Sequence, residues 1–299
     1  MLDTICLSIS SKHKNRLIRV QDLKEFKIDV SFNLLYSISL ELFFKFQKNK
    51  IVLTPKLNFL TKTGKKMSSI DPISKTDDIL FECKPDSGCK NLCCCGINQT
   101  LTGYDILKLS RFKSMKTWDF LKKHTFAYTG KQTKIPVISL FEQPDKDNAC
   151  IFLEQSCTVY EARPLSCRLY PVARGISKDK KTGKILEHFA IINEDQCTGF
   201  GKGKTMPVSE WLIDQKASDY IDANDFFMNF IIDFTSKHIS LDKEQKEIFV
   251  KGCYNLDLFL DELKIKKIDF KADIKELEEN PLLLFKAGIS WTRNQLIKD

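Results

Sequence analysis

Nine of the chain's 11 cysteines fall between residues 83 and 197, and thiols gathered this densely are the residues best placed to do chemistry. They form two groups: Cys83, Cys89, Cys93, Cys94 and Cys95, then Cys150, Cys157, Cys167 and Cys197. Structural disulfides need an oxidising compartment. The first ten residues show neither a basic start nor a small-residue cleavage site, so no export signal is evident. Unrelated buried thiols would not crowd into a triplet beside the turn-forming Gly88 and Gly96. Metal or iron–sulfur ligation is therefore the expected use. Four thiolates close one tetrahedral zinc site or hold one cubane cluster, so this many could support one or two sites. Adjacent cysteines such as Cys93 and Cys94 point different ways in extended backbone, and can serve different metals or leave one thiol free. Cys6 and Cys253 stand apart, and Cys253, on an apolar helix face, reads as a buried free thiol. His13, His124, His188 and His238 are scattered and read as surface or core residues rather than ligands.

The spacing around these cysteines carries a resemblance. Phe81-x-Cys83, Gly88-Cys89 and Cys93-Cys94 are followed by Leu101-Thr102-x-x-Asp105-Ile106. Then come Cys150 to Glu154, Cys157-x-x-Tyr160-Glu161-x-Arg163-Pro164-x-x-Cys167-Arg168-x-Tyr170-Pro171, and Cys197-x-Gly199. In order and spacing this string, about residues 81–205, resembles the YkgJ-type cysteine-cluster family, a zinc- or iron-chelating domain related to flagellin lysine N-methylase. The resemblance implies a metal-binding set of Cys83, Cys89, Cys93, Cys94, Cys150, Cys157, Cys167 and Cys197. One departure is visible. The family usually places two residues before the cysteine pair, whereas Lys90-Asn91-Leu92 makes three here and Cys95 follows. Either Cys93-Cys94 or Cys94-Cys95 is thus the equivalent pair. Arg163 and Arg168 are expected to offset thiolate charge, with ordinary surface ion pairing as the alternative. Pro164 and Pro171 are expected to fix the turns that aim Cys167 inward.

Two functions follow from this reading. One is a protein binding an iron–sulfur cluster or zinc, the centre being structural or electron-handling. The other, implied by the resemblance alone, is an enzyme moving a methyl group from S-adenosylmethionine to a protein lysine. That cofactor belongs only to the second. Either way an unidentified protein partner or protein substrate is expected, and no catalytic residues stand out. Two decoys fail. Gly199-Phe-Gly201-Lys-Gly203-Lys204-Thr205 resembles a phosphate-binding loop, but Thr198 occupies the position where the first glycine belongs, and Pro207 is expected to interrupt the helix start. A lysine-rich surface turn is the expectation there. Cys89-x-x-x-Cys93 begins a radical S-adenosylmethionine motif, but Gly96 stands where its third cysteine is required.

The elements that must position these residues can be read in outline. Thr102-x-x-Asp105 has the form of a helix N-terminus. Residues 135–140 and 185–192 read as strands, the second after a charged turn at 178–184. Tyr220, Phe226, Phe227, Phe230, Ile231 and Phe234 mark one amphipathic helix; Ile248, Phe249, Cys253, Leu256, Leu260 and Leu263 mark a second. Asn280-Pro281 opens a third. The expected fold is α+β: a small cysteine-rich metal-binding core with few short strands, packed by a mainly α-helical C-terminal segment.

Charge divides the 299 residues. The overall formal charge is +8. Residues 1–66 hold 13 basic and 5 acidic residues, residues 67–299 hold 34 of each. The zero balance of the main body disfavours a nucleic-acid surface, which needs clustered positive charge. The expected organisation is a basic N-terminal extension at 1–66, disordered or absent from a natural product starting at Met67. A cysteine-cluster domain follows at 67–205, then an α-helical region at 206–299. No apolar run approaches the ~20 residues of a membrane span, and a cytoplasmic protein is expected.

Overall fold

Every strand pairing among the described residues is antiparallel. The computed structural model describes residues 59–60, 66–83, 91–179, 181–194, 197–237 and 239–297. Cys6, His13, Cys89 and His238 lie outside them, as does nearly all of the basic 1–66 segment. In chain order the strands are β1 (Phe59–Leu60), β2 (Lys66–Ile73), β3 (Asp78–Phe81), β4 (Thr100–Leu101), β5 (Thr125–Thr129), β6 (Pro136–Leu140), β7 (Glu142–Gln143), β8 (Ala149–Cys150), β9 (Val172–Lys178), β10 (Ile185–Glu194) and β11 (Phe200–Pro207). The helices are α1 (Gly103–Phe112), α2 (Thr117–His124), α3 (Leu165–Leu169), α4 (Val208–Asp214), α5 (Ser218–Ser236), α6 (Lys243–Cys253), α7 (Leu256–Lys264), α8 (Ile274–Glu279) and α9 (Pro281–Leu296). The fold is α+β, as expected.

Four small sheets result. The largest runs β1-β2-β10-β9, and β3 pairs with β11, β4-β6-β5 form a three-stranded sheet, and β7 pairs with β8. The β9–β10 hairpin turns where expected, because Asp179 accepts hydrogen bonds from the Lys181 and Thr182 amides. The Gly199 to Thr205 stretch differs from the expected free turn. It belongs largely to β11, where Phe200 pairs with Phe81 and Thr205 with Leu80, so the intervening residues bulge out. Pro207 does not block a helix either. It is the residue from which α4 starts, its missing N–H being harmless there.

Local chemistry explains several helix starts. Thr102 and Asp105 form a reciprocal capping box on α1. Asp242 and Gln245 form another on α6, and Asn280 caps α9 with Pro281 in its first turn. The apolar stripe of α5 buries Tyr220, Phe227, Phe230, Ile231 and Phe234, against Tyr104 of α1, Phe249 of α6 and Phe285 of α9. Each buried ring contributes about 1.5–3 kcal/mol relative to exposure. Helices α6 and α9 approach so closely that a Cβ on Gly252 would meet the Thr292 Oγ1 at 2.0 Å. The helical layer thus packs onto α1, which leads to the cysteines.

The second expected amphipathic helix is two helices, α6 and α7, broken at Tyr254 and Asn255. The cause lies far away in sequence. Thr117 Oγ1 accepts from the Asp257 amide at 3.0 Å and donates to Asn255 Oδ1 at 2.9 Å. In return Asp257 Oδ2 accepts from the Thr117 amide at 2.7 Å. Helices α2 and α7 therefore cap each other.

Asp233 joins three elements. It accepts from Lys178 of β9 at 2.9 Å and Arg293 of α9 at 3.0 Å. Burial pushes its carboxyl pKa up, but hydrogen bonds from Lys178 and Arg293 outweigh this and hold it below the usual carboxylate range. A carboxyl with a depressed folded-state pKa stabilises the fold above its unfolded value, ~3.9, and loses that contribution as pH falls through the folded value. Asp233→Asn should cost about 1 kcal/mol near neutrality, a modest figure because the group is partly exposed. Thermal melts of variant and parent should converge below about pH 3. A deficit that stays constant down to pH 2 would show that the charge is not the cause.

Candidate metal centre

Three chain segments carry the central thiols. Asn91 is left-handed (φ 54°) and turns the chain into a short 3-10 turn, Leu92–Cys94. The Asn91 side-chain amide donates to Gln155 O at 3.1 Å, tying this turn to the loop between Cys150 and Cys157. Cys95 forms a bridge with Ala149, and the Gly96 amide donates to Asn148 O at 2.9 Å. That loop is itself a tight fold-back. Leu153 donates to Cys150 O, Thr158 donates to Phe152 O, and Leu153 bridges to Cys157. Cys167 comes from the third segment, in the middle of the five-residue helix α3.

Cys93, Cys94, Cys150, Cys157 and Cys167 consequently come near enough to act on one another, each of them half-buried. The Cys93 and Cys94 Sγ atoms are 4.0 Å apart. The hydrogen bond with Cys93, then burial, then the neighbouring Cys93, Cys167 and Cys150 all push the Cys94 thiol far above its ordinary value. Burial raises Cys167 well above its usual range, and Cys150, Cys157, Cys93 and Asp105 add to that. Cys150 is pushed up to about 11, mainly by burial. Cys157 is raised by burial too, although the Val159 amide and Arg163 oppose it. Each thiol makes its neighbours harder to ionise. Two features run the other way. The Phe152 amide is aimed at the Cys150 sulfur and the Val159 amide at the Cys157 sulfur, each two residues past its cysteine. Backbone donors of this kind stabilise thiolate, not thiol.

A soft cation resolves the conflict, since it removes the thiol protons and supplies the opposing charge. The donor set fits zinc or iron. Among the described residues, however, no three His, Cys, Asp or Glu side chains stand at the mutual distances one bound ion imposes. Cys89, expected as a ligand, is not among the described residues.

Cys83 and Cys197 belong to a second locality. Phe81 pairs with Phe200, and the Glu82 amide donates to Gly199 O at 3.1 Å, which brings Cys83 alongside the Cys197 segment. Tyr160 Oη donates to Cys83 O at 3.3 Å. Tyr170 Oη donates to Glu194 Oε2 at 3.0 Å, and burial, then Glu194 and Cys197, push its phenol far up. Tyr160, whose phenol feels both Cys83 and Cys157, stands between the two localities. Cys95 sits with the first group and contributes to the field at Cys150.

The side chains around the thiols refine the expected roles. Arg163 and Arg168 are buried rather than surface ion-pair partners. Arg163 donates to Tyr160 O and Gln215 Oε1 and lies 4.0 Å over the Tyr160 ring; it lowers the Cys157 pKa, as charge compensation requires. Arg168 turns away from the thiols toward α5, bonding Glu161 O, Gln215 O and the Tyr220 hydroxyl. Pro164 immediately precedes α3, and the Tyr170–Pro171 bond that follows it is cis.

Gln99, which the sequence did not single out, holds Cys167, and Asp105, expected only at a helix start, holds the helix that carries it. Buried Gln99 accepts from Cys167 Sγ at 3.5 Å, while its amide donates to Ser166 Oγ at 2.6 Å. Asp105 accepts from Thr102 through Oδ2 and from the Leu165 amide, at 2.9 Å, through Oδ1. It thereby caps α1 and α3 together. His124 is packed between Phe120 and Phe152 and His188 faces Ser177, while Cys253 is fully buried away from the cluster.

Residues 82–198 match the family model CxxCxxCC, described as "Putative zinc- or iron-chelating domain". No curated protein and no solved structure matches the chain.

Proposed function

We propose that the chain binds an iron–sulfur cluster or zinc through Cys83, Cys89, Cys93, Cys94, Cys150, Cys157, Cys167 and Cys197, and that this centre is structural or electron-handling. The observation that carries the reading is the convergence of four thiols shielded by burial, Cys94, Cys150, Cys157 and Cys167, from three segments, with Cys93 4.0 Å from Cys94 and backbone amides meeting Cys150 and Cys157. Bound there, the metal supplies either a covalent tie between loops or a site for one-electron transfer. The chain's own residues do the rest. Gln99 and Asp105 orient the Cys167 helix, and Arg163 offsets charge at Cys157.

The methyl-transfer reading has less support. Doubly wound folds hold nucleotide-like cofactors in a crevice beyond the carboxyl ends of parallel strands, and the described strands pair only antiparallel. Metal and acid-labile sulfide analysis of the anaerobically purified chain, with its visible spectrum, tests the proposal. Iron with matching sulfide and visible absorption identifies a cluster, and stoichiometric zinc in colourless protein identifies a structural centre. Protein carrying neither metal overturns the proposal.

A further inference from the structure

The zero charge balance of residues 67–299 hides a local excess. Residues 103–134 contain eight basic residues against two acids, and one of those acids, Asp105, is buried at the N-termini of α1 and α3. At the end of this segment lies the outer face of the β4-β6-β5 sheet. Three aromatic rings cover it. Phe126, Tyr128 and Phe141 are 37%, 37% and 38% exposed. Phe126 lies 6.0 Å from each of the other two, with ring planes tilted by only 28° and 27°. Unlike the stacked core pairs, these rings form one continuous surface open to solvent. Lys122 and Lys123, in the last turn of α2, flank one end. Lys131 and Lys134, in the turn between β5 and β6, flank the other.

We propose that this sheet face binds a single-stranded polynucleotide, with bases stacked on Phe126, Tyr128 and Phe141 and phosphates met by the flanking lysines. The argument is complementarity of two kinds on one surface. Every base offers a π-face to an exposed ring, and lysines at both ends supply diffuse positive charge along a backbone path. Lysine rather than arginine suits phosphate met as a point charge, whereas paired carboxylates of an acidic peptide favour the arginine fork. Neither stacking nor phosphate contact reads the sugar, so RNA and DNA strands of one sequence bind alike. The acids Glu142, Asp145 and Asp147 follow Phe141 directly, so the bound strand leaves past Tyr128 toward Lys131 and Lys134. This reading is independent of which metal the cysteines hold.

Fluorescence anisotropy of the full metal-loaded chain with a labelled 12-nucleotide oligouridylate is the test, with the matching oligothymidylate and a duplex of equal length as comparisons. The expected result is binding of both single strands in preference to the duplex. Tyr128→Ala should raise Kd roughly tenfold, as ~1.4 kcal/mol of lost stacking gives, and Tyr128→Phe should restore it. Lys131→Glu with Lys134→Glu should reduce the slope of log Kd against log salt by about 1.4. The first 66 residues carry aromatic rings as well as charge, but binding through them would not respond to the ring at 128. Unchanged metal content in each variant shows that the domain remains folded. Absence of oligonucleotide binding, equal binding of duplex, insensitivity to Tyr128→Ala, or binding to phosphatidylserine vesicles or polyglutamate in its place would each overturn the proposal.

Discussion

Cys167→Ser and Cys157→Ser each purify with less than half of the parent's metal, and with lower solubility in the same preparation. The two losses go together because a thiolate centre that joins three segments is also part of the folding free energy: structural zinc in small domains contributes roughly 10–16 kcal/mol of binding, and one lost ligand removes a sizeable fraction. Serine keeps the volume but is not deprotonated at neutral pH, so it donates weakly to a soft metal. Cys167 should be the more damaging of the two. It is the more deeply buried, sits at the centre of α3 and is held by Gln99 at 3.5 Å. Cys253→Ser is the control. That thiol is fully buried on α6, away from the cluster and beside Thr292, so the change should cost about 1–2 kcal/mol of stability and no metal. Metal analysis with urea denaturation of the three variants separates a ligand from a packed thiol. Full occupancy in both Cys157→Ser and Cys167→Ser would remove these cysteines from the ligand set.

What could be read from the sequence was local. The capping box at Thr102 and Asp105, the Asn280-Pro281 start and the β9–β10 turn need only neighbours within four residues, so residue identity settled them. The thiol segments were legible because their spacing is unusual. Long-range contacts were not. The break between α6 and α7 depends on Thr117, about 140 residues away, and an unbroken three-and-four spacing gave no sign of it. Gln99 is one glutamine among several until Cys167 and Ser166 fold against it. Arg163 and Arg168 share one motif, yet one faces the thiols and the other faces Tyr220, because opposite sides of the 160–169 segment meet different layers. The summed charge is blind for the same reason: a balance over 233 residues does not say how its lysines are distributed over the surface.

Asp105 is where the helical layer and the metal centre are joined, and its removal should damage both. Its carboxylate is buried and accepts from the Thr102 amide at 2.8 Å, the Thr102 hydroxyl at 2.7 Å and the Leu165 amide at 2.9 Å. Burial raises its pKa against the pull of these donors, so the site tolerates the charge only because the donors are there. Asp105→Ala leaves two backbone amides, those of Thr102 and Leu165, unsatisfied inside the protein, at about 1–3 kcal/mol each, although Thr102 Oγ1 still caps α1 through the residue-105 amide. The expected loss is about 3–5 kcal/mol, close to the whole stability of a marginal domain. Asp105→Asn is the sharper variant. Its single side-chain oxygen can serve Thr102 or Leu165 but not both, and its NH2 group would face a donor. It should fold, lose about 1–3 kcal/mol, and release metal to a chelator faster than the parent, because Leu165 opens the helix that carries Cys167. Urea midpoints report the first effect and chelator-release rates the second. If Asp105→Asn lost stability but released metal at the parent's rate, the cap on α3 would have no bearing on the centre, and the coupling of the two layers through this carboxylate would be wrong.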